Sequence, residues 1–83
     1  MKVHVRVFAG LVALVGAREV EVEIGEGATA DDLKAAVGEV YPATGLFLRN
    51  VVCAVGEDYV SGGYVLHADD QVALIPPVSG GSR

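Results

Sequence analysis

Two stretches of this chain alternate strictly, and they carry opposite charges. Val3, Val5 and Val7 are interleaved with Lys2, His4 and Arg6; Val20, Val22 and Ile24 are interleaved with Glu19, Glu21 and Glu23. A period of two puts successive side chains on opposite faces of a strand, so each stretch has one apolar and one charged face. Paired antiparallel, they set a basic row against an acidic row, each cross-strand pair contributing about 0.2–1 kcal/mol. The pattern predicts neighbouring strands over residues 2–8 and 18–24 of a sheet with one buried face. Between them "AGLVALVGA" holds Leu11, Leu14 and Val15 at helical spacing. It predicts a short helix closing near Gly16.

The segment "GEGATADDLKAAVGEVYP" carries the long helix. Thr29 is the expected N-cap, and Asp31 and Asp32 fall in the first turn, where carboxylates favour the helix dipole. Leu33, Ala36, Val37 and Val40 form the i, i+3, i+4, i+7 stripe that packs on a sheet. Pro42 prevents continuation. "VVCAV", residues 51–55, reads as a strand covered on both sides, or as one whose outer face meets a partner. "GED" at 56–58 is a turn and Tyr59-Val60 opens a short return strand. Gly62-Gly63 and Asp69-Asp70 are further breaks before a final strand at 71–76. One amphipathic stripe covers one sheet face, so the expected class is α+β: a mixed sheet with one main helix on one face, its first and last strands central.

With 83 residues the chain is one domain. The net charge of −5, with six scattered Lys and Arg, speaks against nucleic acid, which is held by clustered basic residues. An acidic domain suits a basic protein partner. The single cysteine, Cys53, rules out a disulfide framework within one chain and fits a reducing compartment. The opening "MKVHVRVFAGLVALVGA" has the outline of a secretory leader, but a leader has no need of its alternation, so a strand and helix are expected instead. No apolar run reaches the roughly 20 residues that span a membrane.

The reactive side chains have plain structural readings. Cys53 has no neighbouring cation in sequence and is expected to be a buried, inert thiol. His4 and His67 lack a third ligand at metal spacing, so no metal site is expected. Asp31-Asp32 reads as helix capping, and Asp69-Asp70 and the "GEG" at 25–27 as turn chemistry. No catalytic constellation emerges.

The C-terminus reads differently. In "DDQVALIPPVSGGSR" a core strand runs into Pro76 and Pro77, which lack N–H donors and stop the ladder. They hold the chain extended and away from the body. Gly80 and Gly81, without Cβ atoms, can enter a channel that excludes side chains. From Pro77 to Gly81 such a probe reaches roughly 15 Å. The expected division is a folded domain over 1–76 and a flexible tail over 77–83.

"DDQVALIPPVSGG" closely resembles the end of the molybdopterin synthase small-subunit (MoaD) family, ubiquitin-like sulfur carriers of β-grasp fold. "VRVFAGLVALVG" resembles that family's first strand and helix, and "VVCAVGEDYV" its third strand and turn. The resemblance implies a sulfur carrier for molybdenum cofactor biosynthesis that is not catalytic alone. Its working group would be the carboxylate of Gly81, next to Gly80. An E1-like adenylating enzyme (MoeB-like) would activate that carboxylate with ATP, and a sulfur donor would convert it to a thiocarboxylate. The tail would then enter the large subunit (MoaE-like) and deliver sulfur to a pterin precursor. Ile75, Pro76, Pro77, Val78 and Ser79 would bind the partner. No bound cofactor, nucleic acid or membrane is implied, and the location would be cytoplasmic. Ser82-Arg83 depart from the pattern, since Gly81 within a longer chain is an amide. A trimmed precursor, a residual addition and a docking paralogue are the readings for them. Three alternatives stand beside this function. One is a sister carrier for thiamine, tRNA thiolation or another pathway; another is a ubiquitin-like modifier joined to a target lysine. A plain interaction domain is the third. Because Ala73 and Ile75 face away from Val72 and Leu74, an apolar docking patch is expected on the helix-free face, around Ile75 and Val51–Val55.

Overall fold

The computed structural model describes residues 1–76. The elements are β1 (Lys2–Val7), α1 (Gly10–Val15), β2 (Glu19–Glu23), α2 (Ala30–Val40), a 3-10 turn (Pro42–Thr44), α3 (Gly45–Leu48), β3 (Val52–Val55), β4 (Asp58–Val60) and β5 (Gln71–Ile75). The five strands form one sheet in the order β2-β1-β5-β3-β4. β5 is central and runs parallel to β1; the other pairs are antiparallel. Lys2, His4 and Arg6 face Glu23, Glu21 and Glu19 across the β1–β2 ladder, the expected charge complement.

The apolar sets of the strands meet α2 on one side. Val3, Val5, Val7, Val22, Val72 and Leu74 are buried beneath Ala30, Leu33 and Val37. Burying a side chain such as Leu33 completely is worth about 1.5–3 kcal/mol. The start of α2 is doubly secured. The Thr29 hydroxyl accepts from the Asp32 N–H at 3.3 Å, and the Asp32 carboxylate accepts from the Thr29 N–H at 2.9 Å. The strap from β4 to β5 occupies two more of the helix's free donors: Ala30 N–H donates to the Tyr64 carbonyl and Asp31 N–H to that of Gly62. Orphan donors at a helix start cost free energy unless so satisfied. α1 closes on Gly16 at φ 88°, a left-handed conformation that favours glycine.

Three details differ from the sequence reading. Val40, expected on the packed stripe, is 60% exposed. The reason is the second difference: past Pro42 the chain coils into a 3-10 turn and α3, elements that the periodicity does not predict. Their Thr44 and Leu48 are buried, and Leu48 packs against Gly38, leaving the last turn of α2 nothing to cover. Third, strand ends shift by a residue: β1 stops at Val7, β2 spans Glu19–Glu23, β3 starts at Val52, β4 starts at Asp58 inside the expected turn, and β5 stops at Ile75. Among the described residues no helix is long and apolar enough to cross a membrane.

Candidate functional site

β5 alternates as predicted: Val72 and Leu74 are buried under α2, while Ala73 and Ile75 are half-buried on the opposite face. The register fixes their neighbours. Ile75 lies beside Val52, and Ala73 lies between Ala54 on β3 and Arg6 on β1. Ala54 is flanked in turn by Tyr59 on β4. Ala54, Ala73 and Ile75 floor a groove on the helix-free face, which Phe8 and Tyr59 also line. Phe8, Val52 and Tyr59 are exposed, an apolar set of the kind that marks partner contacts. Of the strand "VVCAV", Cys53 and Ala54 are buried although they face opposite ways, while Val52, on the same helix-free face as Ala54, is exposed, so the strand is not covered on both sides.

A polar wall bounds the groove on the β1–β2 side. His4 sits 3.3 Å from a Glu21 carboxylate oxygen through Nε2, and 3.9 Å from Glu19 through Nδ1. Arg6 reaches Glu19 at 3.9 Å. All four side chains are more than half exposed, so each pair is worth little by itself. Glu57 lines the groove as well. Phe8, Tyr59 and this wall were not singled out from sequence. The Lys-His-Arg and Glu-Glu-Glu rows announced a charged outer face, but only the strand order puts that face beside Ile75.

Of the expected partner-binding residues, Ile75 and Pro76 are described. Both are half-buried, and Pro76 follows directly on the last strand residue, where its missing N–H ends the ladder. Pro77, Val78, Ser79, Gly80 and Gly81 lie outside the described residues, as do Ser82 and Arg83.

The other candidates take their structural readings. Cys53 is 2% exposed on the helix-facing side. Burial pushes its thiol above the ordinary value of 9.0; the charge of Lys34 opposes this and that of Asp31 reinforces it. A thiol so placed is a poor nucleophile. Asp32 is the helix cap, and the Asp70 carboxylate accepts from the His67 N–H at 2.8 Å, a turn contact. Among the described residues no group of three potential metal ligands occurs.

A family model described as the ThiS family matches residues 5–81. The molybdopterin synthase sulfur carrier subunit of Chlamydomonas reinhardtii is 35% identical over 83 residues, spanning 98% of this chain and 100% of that protein. Its namesake in Caenorhabditis briggsae is 32% identical over 83 residues, spanning 98% and 99%. Among solved structures, small archaeal modifier protein 1 of H. volcanii superposes with a TM-score of 0.82 at 25% identity. That match covers 93% of this chain and 98% of the other.

Proposed function

This chain belongs to the ThiS family, and from that premise we propose that it is the sulfur carrier subunit of a molybdopterin synthase, working through a thiocarboxylate at Gly81. The observation that carries the reading is the reach of the family match. It spans the β-grasp body and continues through the proline elbow to Gly81, the second glycine of the pair.

The chemistry follows from what a main-chain carboxylate needs. A carboxylate is a poor electrophile. Attack of its oxygen on the α-phosphate of ATP releases pyrophosphate and gives an acyl adenylate with AMP as leaving group. Sulfur from a donor then displaces AMP and leaves the thiocarboxylate. Gly80 and Gly81 put no bulk around the reacting carbon. Activation belongs to an E1-like adenylating enzyme and sulfur transfer to the large subunit; the carrier supplies docking and reach. ATP-dependent activation and a single unpaired cysteine suit a cytoplasmic location. The groove around Ile75 is the docking surface for the large subunit, with Pro76 to Ser79 leading the tail onward.

An acyl adenylate at Gly81 requires that residue to carry the free carboxylate. The chain ending at Gly81 is expected to support ATP–pyrophosphate exchange with the adenylating enzyme, and the 83-residue chain to support none. With a sulfur donor present, electrospray mass should show one oxygen replaced by sulfur. Equal exchange by both lengths, with Ser82 and Arg83 still attached, would remove Gly81 as the reacting residue.

A second reading has its own support in the likeness to small archaeal modifier protein 1. A modifier uses the same adenylate, but a lysine ε-amine displaces AMP and an isopeptide bond results. Adducts between this chain and other proteins in the same mass experiment would favour it.

A further inference from the structure

One row of residues crosses all five strands on the helix-free face. The pairing fixes its order: Tyr59 on β4 is opposite Ala54 on β3, Ala54 opposite Ala73 on β5, Ala73 opposite Arg6 on β1, and Arg6 opposite Glu19 on β2. The two smallest side chains of the row are neighbours. β4 and β1 are three interstrand spacings of about 4.8 Å apart, so the backbones of Tyr59 and Arg6 are separated by roughly 14 Å, with two methyl groups between them. Tyr59 is 73% exposed, whereas Ala54 beside it is 6% exposed. Side chains two residues apart on a strand share a face. On this face Ile75 and Val52 follow the alanines toward the exit of the chain, and Gln71 and His4 stand toward the other end. Longer side chains thus surround the alanines, except at Gly56, which lines the groove two residues beyond Ala54 and leaves that corner open.

The charges around this depression select its occupant. His4 stands 3.3 Å from Glu21, and Arg6 3.9 Å from Glu19. Both cations already face carboxylates of the same sheet, and Glu57 lines the groove next to the open corner at Gly56. A charged side chain laid on the alanines would break one of these pairs or meet a like charge. An apolar one would disturb neither. Among apolar side chains the surroundings favour an aromatic ring. Phe8 and Tyr59 line the same groove and offer edge contacts to a ring, and the Arg6 guanidinium can lie over its face. At about 400 Å³ the groove has room for one ring and parts of its neighbours.

We propose that Ala54 and Ala73 are the floor of a socket for one aromatic side chain of the large subunit, and that their small size determines whether that subunit docks. This rests on the sulfur-carrier reading and deepens it. In that reading the chain is a standing subunit of a synthase, so the large subunit is the partner that holds this face, and the adenylating enzyme is met for a single step. The socket adjoins Ile75, the last strand residue before the proline exit, so a partner that takes in the tail lies over it. An aromatic anchor in a fitted, desolvated pocket carries a large share of an interface's binding energy.

The test is calorimetric binding of the full chain to the large subunit, with circular dichroism to show that each variant is folded. Ala73→Leu fills the socket and leaves the core alone, because Ala73 is half-buried on the open face. It should weaken binding about a hundredfold. A flat apolar patch predicts the opposite, since the added leucine would enlarge the patch and hold or tighten the complex. Ala35→Leu adds the same side chain to the exposed side of α2 and should leave binding unchanged. Tyr59→Ala removes one side of the socket at an exposed position and should weaken binding about tenfold, which keeps the test open if Ala73→Leu unfolds. Normal or tighter binding by folded Ala73→Leu would overturn the socket, and so would equal losses from Ala73→Leu and Ala35→Leu. A loss confined to pyrophosphate exchange with the adenylating enzyme would overturn it too, by giving the site to the other partner. These outcomes leave the sulfur-carrier reading standing; a wild-type chain that fails to bind the large subunit at all would overturn that reading and the socket together.

Discussion

Ala9 is the only non-glycine residue among those described with a positive φ, at 53° and with ψ −131°. That conformation costs an L-residue on the order of 1–3 kcal/mol, while glycine there loses somewhat more chain entropy on folding. The balance favours glycine, so Ala9→Gly is expected to raise stability by about 1 kcal/mol in denaturant titration. A lower midpoint would mean that the turn is not strained in solution. Cys53 gives a second expectation. Its thiol holds a proton more tightly when folded than when unfolded. Above pH 9 the unfolded chain releases that proton first, so this contribution to stability is intact below the ordinary value of 9.0 and fades as pH rises through it. Cys53→Ala should remove that part of the alkaline decline. It should also cost on the order of 1 kcal/mol at neutral pH, because a small cavity opens, and leave sulfur transfer intact. Lost transfer in a stable Cys53→Ala protein would make the thiol functional after all.

At the scale of elements, α2 depends on its first turn. The reciprocal Thr29–Asp32 bonds and the strap at residues 62–64 are local contacts of a helix that covers one face of the sheet. Thr29→Ala removes the hydroxyl acceptor and is expected to cost about 1 kcal/mol, read as a lower unfolding midpoint. The strap bonds remain in that variant, so the helix should persist by far-ultraviolet circular dichroism. Loss of the fold would show that the cap carries more than its own two bonds. Thr29 was recognisable because an N-cap is a local pattern. α3 was not: "ATGLFL" has no amphipathic repeat long enough to identify it, and its Leu48 is fixed by contact with Gly38.

For the whole molecule, the sheet separates two tasks. Its covered face holds the core, and its open face holds the groove around Ile75. Ile75 is half-buried, lies outside the core cluster and faces away from Leu74, so a carboxylate there should be accommodated in the free protein. Ile75→Asp is therefore expected to stay folded, with an unchanged far-ultraviolet spectrum, and to lose large-subunit binding by calorimetry, since an unpaired charge would be desolvated in the interface. Normal binding by the folded variant would remove the groove as the docking surface.

The sequence by itself determined which residues turn inward on β1, β2 and β5, because strand alternation is a property of consecutive residues. It determined the opposed charge rows, the cap of α2 and the proline stop after Ile75 for the same reason. The tertiary structure alone decided the order β2-β1-β5-β3-β4. That order brings Ala54 and Tyr59, and Arg6 from the far end of the chain, to Ala73 and Ile75. It also decided that Val40 lies in solvent. Contacts between distant segments depend on how whole faces pack, and no local periodicity encodes which faces meet.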